Sequence, residues 1–416
     1  IMFYFAISVF RFSNQEALME EIFDGSFTQQ EPISEIAISA ALRVLRSGRL
    51  HRYNVIEGEV SETTLLEEEF SRLIGSKYSL AVASGGYAMG CALRAIGVKA
   101  GDFVLSNAFT LAPVPGAIAG VGAQPIFVDT VDNLTIDLED LELKIKSSSS
   151  KVLLLSHMRG HICDMDKLMA ICNLHEIKVI EDCAHTMGAS WAGIPSGRHG
   201  VIGCYSSQTY KHLNSGEGGL LVTDDDEIIA RAIILSGSYM LYQQHRSIPD
   251  SAIFEEIKLQ TPNISGRMDN LRAAILRPQL SDLSDRVFRW NERYKVIEEG
   301  LRNVPIIKII ERSENESFVG SSLQFEIPKT SGNQIELFLN GCMNRGVELK
   351  WFGASVPKAF TSKYDSWAYV EPQELANTDR ILSGLIDMRL PLTFSLKDCQ
   401  IIARIISSEA MKLSRV

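Results

Sequence analysis

Between residues 78 and 224 the chain alternates short apolar runs with segments of helical length, and this alternation constrains the fold more than any other feature. YSLAVA (78–83), FVLS (103–106), QPIFVD (124–129), KVLLLS (151–156), IKVIED (177–182), VIGCYSS (201–207) and GLLVTD (219–224) read as strands. Several are continuous apolar runs rather than polar–apolar alternations. Such strands are buried on both faces, so helices must cover the sheet on both sides. YAMGCALRAI, PVPGAIAGVG, MDKLMAICNLHE (165–176) and residues 225–235 read as those helices. Helical connections between strands argue a largely parallel, right-handed α/β layer.

Upstream, residues 31–48 and 61–74 carry apolar positions at helical spacing. Pro32 suits a first turn, Ser61 or Thr63 a cap, and Gly48 and Gly75 a stop. Residues 236–266 have weak periodicity and read as loop, as does the serine run 147–150. After Pro278, a long polar helix near 281–300, a strand at 325–329 and helices at 333–346 and 396–413 point to a second, α+β layer. A domain usually holds ~100–200 residues, so 416 residues suit one large and one smaller domain. The expected division is an N-terminal segment 1–58, a large domain 59–280 and a small C-terminal domain 281–416.

The formal net charge of −10 argues against nonspecific binding to nucleic acid or an anionic membrane. The seven cysteines are widely spaced and form no CxxC pair, so neither a disulfide framework nor a structural zinc site is indicated. A reducing compartment, the cytoplasm, is the expected location. The opening IMFYFAISVF is apolar over only ten residues and lacks a preceding basic region. It reads as a strand or an expression artefact rather than a signal peptide, and the initial Ile leaves the true start open. His157, His161, Cys163, Cys183 and His185 match no standard ligand spacing, so no metal is expected.

Three segments carry chemistry. Ser84, Gly85 and Gly86 lie between a strand and a helix, where backbone N–H groups can cradle an anion; a plain tight turn is the alternative. EDCAH (181–185) ends an apolar strand. Asp182 there can face a protonated ring nitrogen, as in pyridoxal phosphate sites, or can simply cap a helix. In CYSSQTYKHLNSGEGG (204–219), Lys211 follows a buried strand. An enclosed lysine can lose its proton and form a Schiff base, whereas most lysines are surface cations. Anion cradle, carboxylate and amine together describe a pyridoxal 5'-phosphate site.

The chain resembles the DegT/DnrJ/EryC1/StrS family of pyridoxal-phosphate-dependent sugar aminotransferases. The resemblance is carried by GRLHRY, SGG, NAFT, GAQPIFVD, TIDLEDLE, HMRGHICDMD, VIEDCAHTMGA, GCYSSQTYK and SGEGG. It implies the aspartate aminotransferase type I fold, with a mixed, mostly parallel seven-stranded sheet between helices and a smaller α+β domain. It implies Lys211 as the Schiff-base lysine, Asp182 as partner of the pyridine nitrogen and His185 beside the ring. Phe109 is implied as the stacking aromatic, with Gly85, Gly86, Tyr87 and Ser206 at the phosphate. Asn263 is implied as a phosphate contact reaching in from the partner subunit of a homodimer. The implied reaction moves an amino group from glutamate or glutamine to a keto sugar, through a pyridoxamine phosphate intermediate. Dehydration or cyclisation on the same frame is the alternative. A non-enzymatic regulator is disfavoured by the intact lysine and aspartate.

Two departures stand out. Gly86 replaces the family's threonine, and Tyr87 puts a large ring where a small residue is common. Tyr239, Tyr242, His245 and Arg246 offer groups suited to a polyhydroxy or anionic acceptor, and they are expected near the substrate.

Overall fold

The structure is a computed structural model that describes residues 21–413; the IMFYFAISVF segment lies outside the described residues. Seven strands form the central sheet, in the order Tyr78–Val82, Gly219–Thr223, Ile202–Ser206, Lys178–Asp182, Val152–Ser156, Phe103–Asn107, Gln124–Val128. Gly219–Thr223 runs antiparallel to both neighbours, and the other strands are mutually parallel. Every residue of Tyr78–Val82, Val152–Ser156, Ile202–Ser206 and Gly219–Thr223 is buried, as continuous apolar runs require. This is the expected α/β layer, a mostly parallel seven-stranded sheet.

Local signals explain most helix boundaries. Ser61 accepts the Thr64 N–H to start Glu62–Ile74, and Gly75, at φ 78°, closes it. The first helix starts later than expected, at Glu35, because the Ser34 side chain accepts the Ala37 N–H and leaves Pro32 outside. One other expectation needs correction. The 236–266 stretch is not all loop, since Asp250 caps a helix, Ser251–Ile257, that buries Phe254 and Ile257. Pro278 lies in the last turn of Asn270–Leu280, and the long polar helix follows it at Leu283–Leu301, close to the expected 281–300.

The second sheet runs Lys308–Ile309, Ser322–Glu326, Leu385–Arg389, Lys350–Trp351, with all neighbours antiparallel. Its long strand spans Ser322–Glu326 rather than the expected 325–329, and Pro328, which cannot donate to a ladder, lies beyond its end. Helices Leu283–Leu301, Gly332–Asn344 and Leu396–Leu413 accompany it. One apolar cluster joins Leu105, Leu153 and Val179 of the central sheet to Phe325, Ile386 and Ile402 of this layer. Full burial of each such side chain stabilises by roughly 1.5–3 kcal/mol. The two sheets therefore share a core, which fixes the ends of their strands relative to one another. All seven cysteines are unpaired and buried. Among the described residues no helix is long and apolar enough to cross a membrane.

Candidate active site

The parallel strands point their C-terminal ends toward one cavity of about 330 Å³, the crevice where open α/β sheets bind ligands. It is lined by Ser84, Gly85 and Gly86 at one end and by His185, Ser206 and Lys211 beside them. Ser84 caps the helix Gly85–Ala95 by accepting the Tyr87 N–H at 3.0 Å. The N–H groups of Gly85 and Gly86 begin that helix and have no intrahelical acceptor, so they suit an anion. A Cβ on Gly85 would lie 2.9 Å from the Ser206 Cβ, so a side chain there would crowd this cradle. Gly219 packs as closely: a Cβ there would lie 2.3 Å from the Ser84 carbonyl oxygen.

Lys211 leaves the strand Ile202–Ser206 through a turn in which its N–H donates to the Gln208 carbonyl at 2.8 Å. Burial lowers its amine to about 7; the charges of Arg159 and Arg389 act in the same direction, and Asp182 opposes them. Lys211 Nζ lies 2.8 Å from His185 Nε2. On the other side of that ring, Nδ1 accepts the Arg159 backbone N–H at 3.4 Å. Burial, with the charges of Lys211 and Arg159, pushes His185 well below the usual imidazole range, so the ring is neutral.

Asp182 is buried at the end of its strand, where its carboxylate accepts Ser156 Oγ at 2.9 Å and the Ala184 N–H at 3.1 Å. It is not a lining residue, but its charge acts on Lys211. A carboxylate has about four acceptor sites, so two bonds leave room for another donor.

Other expected residues lie elsewhere. Phe109 is buried against Phe352 at 5.1 Å between centroids and is not a lining residue, whereas Leu111, two residues on, lines the cavity. The Tyr87 hydroxyl donates to the Leu235 carbonyl at 3.0 Å, so its ring leaves the cradle and lies over Gly266. Asn263 is exposed and accepts from Ser265, away from this chain's own cavity. None of Tyr239, Tyr242, His245 and Arg246 lines the cavity. Tyr239 is exposed beside Arg267, and Arg246 is exposed 3.6 Å from Glu68. Tyr242 stacks on Phe254 in the core. His245 is buried in a network with Arg52, Tyr53 and Glu67, bonding Tyr53 Oη at 2.8 Å and Glu67 at 3.2 Å.

Of the histidines and cysteines weighed as ligands, His157 and Cys183 come together with Glu181. Glu181 is already occupied, accepting from the Gly197, His199 and Gly200 N–H groups and bonding His157 at 2.9 Å.

The residues that sequence reasoning missed form the far wall: Arg159, Tyr210, Phe360, Trp367 and Arg389. A signal existed for two of them. Arg159 stands inside HMRGHICDMD, and Arg389 is a charge ending the strand segment LIDMR.

The sequence profile of the DegT/DnrJ/EryC1/StrS aminotransferase family matches residues 33–407. The chain belongs to that family. It is 34% identical over 197 residues to the L-glutamine:scyllo-inosose aminotransferase of Streptomyces griseus, covering 47% of this chain and 46% of that protein. It is 31% identical over 232 residues to a pleiotropic regulatory protein of Geobacillus stearothermophilus, covering 55% and 57%. The matched part thus spans about half the length of these curated relatives. A solved 3-amino-5-hydroxybenzoic acid synthase shares the fold, with a TM-score of 0.79 and 21% identity, covering 93% of this chain and 99% of that one.

Proposed function

We propose that this family member uses pyridoxal 5'-phosphate to move an amino group from glutamine or glutamate to the carbonyl of a keto sugar or cyclitol. The observation that carries the reading is Lys211, a cavity amine lowered to about 7 and held 2.8 Å from a neutral imidazole. The name of the Streptomyces griseus relative supports glutamine as donor and a polyol ketone as acceptor.

The residues present fit the cofactor. Gly85, Gly86 and Ser206 form a cradle that a Cβ would fill, and this cradle would hold the phosphate. Asp182 has acceptor capacity left for a protonated ring nitrogen. Leu111, which lines the cavity, would offer the cofactor an apolar side chain. When bound, pyridoxal phosphate supplies an electron sink for the carbon that bears the amino group. Lys211 Nζ, as a neutral amine, would be the base that takes up the substrate's proton and hands it back. His185 keeps the amine in place. Asp182 retains the nitrogen's proton.

Dehydration or cyclisation on the same frame is the competing reading. In the dehydratase branch of the family, as the resemblance implies, histidine replaces the lysine. Here Lys211 is retained, and the neighbouring His212 imidazole is committed to Ser321 Oγ at 3.0 Å, which favours transamination. An exposed Asn263 supports a homodimer in which each subunit completes the other's site. Seven unpaired cysteines support a cytoplasmic setting.

Borohydride reduction of the loaded protein followed by peptide mass analysis tests the lysine, with the adduct expected on Lys211. Glutamine should then change the cofactor absorbance and release a 2-oxo acid, and a keto sugar should reverse the change. Water loss from a sugar with no amino donor consumed would overturn the reading.

A further inference from the structure

The loop that follows Val152–Ser156 is pinned at two points by the second sheet. Arg159 and Gly160 in it are both left-handed, with φ 53° and 82°. A bulky residue in that region is strained, and it persists only where its surroundings over-determine it. Here they do. Arg159 Nη2 forms an ion pair with Asp387 at 2.8 Å. Two residues on, His161 Nε2 meets Gln324 Oε1 at 2.9 Å. An amide oxygen only accepts, so His161 donates. Gln324 and Asp387 face each other across the antiparallel strands Ser322–Glu326 and Leu385–Arg389. Gln324 Nε2 donates to Asp387 at 2.8 Å and to Ser322 Oγ at 3.0 Å, which fixes the amide's orientation. Arg159, His161, Gln324 and Asp387 are all buried, so a broken link in this chain of bonds is costly. Neither Gln324 nor Asp387 lines the cavity.

The pinned loop presses on His185. A Cβ on Gly160 would lie 3.2 Å from the His185 carbonyl oxygen, and the Arg159 N–H donates to His185 Nδ1 at 3.4 Å. A neutral imidazole carries one proton, so an Nδ1 that accepts leaves that proton on Nε2, 2.8 Å from Lys211 Nζ. A continuous path of contacts thus runs from the second sheet to the amine. Asp387 faces more than Arg159. Burial lowers Arg389 and Lys350, and the Asp387 charge opposes this at both. Asp387 can therefore act on the cavity in two ways, by holding Arg159 or by its charge alone.

We propose that Asp387 and Gln324 are positioning residues for the amine: by pinning the Arg159 turn they hold its N–H on His185 Nδ1 and keep the ring proton on the nitrogen that faces Lys211. The proposal rests on the aminotransferase reading for what the amine then does. The second sheet, rather than the strand that leads to Lys211, thereby readies the lysine. Parting of the two layers would let the ring bare Nε2, and the lysine would keep its proton.

The test reads the tautomer and the amine separately, in the whole chain free of cofactor. With isotope-labelled histidine, long-range proton–nitrogen spectra tell a bare ring nitrogen from a protonated one, and His185→Gln identifies the signal. Wild type should show a bare Nδ1. Asp387→Asn and Gln324→Met, each close in size to the residue replaced, should move the proton to Nδ1 in part or in full. The signal of His245, buried with Tyr53 and Glu67, should stay in place and so report an intact fold. Capture of pyridoxal phosphate is then followed by absorbance over a pH series. Asp182, Arg159 and Arg389 act on Lys211, with the His185 and His212 imidazoles beside it. A bare Nε2 accepts from an ammonium, so either variant should raise the capture midpoint from about 7 by about one pH unit, the scale of one hydrogen bond. An Asp387 that acted by charge alone would lower it, because removing an anion disfavours a nearby cation. A proton on Nδ1 in the wild type, an unmoved tautomer in both variants, or a lowered midpoint overturns the proposal. Failure of the wild type to capture pyridoxal phosphate would instead defeat the aminotransferase reading, and the tautomer spectra would still decide the role of Asp387 and Gln324.

Discussion

Lys211 Nζ and His185 Nε2 are 2.8 Å apart, and the second nitrogen of the same ring accepts a backbone N–H from Arg159. An Nδ1 that accepts leaves the ring proton on Nε2, aimed at Lys211. The lysine must then accept, which only a neutral amine can do. Burial lowers Lys211 from the ordinary 10.5 to about 7, in agreement. The rate at which the apoprotein captures pyridoxal phosphate should therefore rise through pH 7 rather than pH 10. Stopped-flow absorbance over a pH series measures it. A midpoint near the ordinary lysine value would contradict the arrangement.

The cradle makes a steric prediction. Gly85 has no left-handed φ to protect, but a methyl group there would press on Ser206 at 2.9 Å. Gly85→Ala should leave the fold intact and loosen the cofactor by at least about tenfold, the scale of a one-to-several kcal/mol clash. Dialysis followed by absorbance of the retained cofactor checks this.

Asp182→Asn keeps the shape and removes the charge. Loss of one partner of a buried charge pair typically costs about 2–5 kcal/mol. The amination half-reaction should slow by at least about thirtyfold while thermal unfolding changes little. Single-turnover absorbance measures the rate, and an unchanged rate would refute the assigned role.

A further prediction concerns stability. Glu67 is buried, and burial alone would raise its carboxyl; Arg52 at 2.7 Å, together with His245, outweighs that and holds it at about 2. A carboxyl depressed below its unfolded value of 4.5 contributes stability that is complete above that pH. The contribution is lost as pH falls from there toward 2. Glu67→Ala leaves Arg52 buried without its anion and should cost about 3–5 kcal/mol at neutral pH. Denaturant melts at pH 7 and pH 3 should show a smaller difference between variant and wild type at the lower pH.

Cofactor-loaded protein should scatter light as at least a dimer. A mass near the 46.1 kDa of one chain would count against a shared site.

The central sheet was legible because its strands are apolar throughout and its turns carry glycine and capping residues, both local signals. Lys211, Asp182, His185, Gly85 and Ser206 follow strand ends, so topology alone brings them together. Phe109 and Leu111 show where this stops. Asn107 Nδ2 donates to the Phe109 carbonyl at 2.8 Å and turns the chain, and Phe109 then packs on Phe352 from the other layer. No local pattern records that partner. His245 is similar: its polar ring suggested a substrate contact, yet its partners Arg52, Tyr53 and Glu67 precede the central sheet in sequence. Arg159 and Arg389 became neighbours only through the packing of one sheet on the other.

Gly219 bears on how the site tolerates change. The strand that begins with the last glycine of SGEGG returns antiparallel beside Tyr78–Val82, and this first residue leaves no room for a side chain against the Ser84 carbonyl. The glycine-rich stretch after Lys211 thus serves as a spacer of minimum thickness between two walls. One wall carries the amine, and the other carries the anion cradle. A larger residue at 219 would push the walls apart without touching any reacting atom. The separation between amine and cradle is thereby set by the width of a backbone.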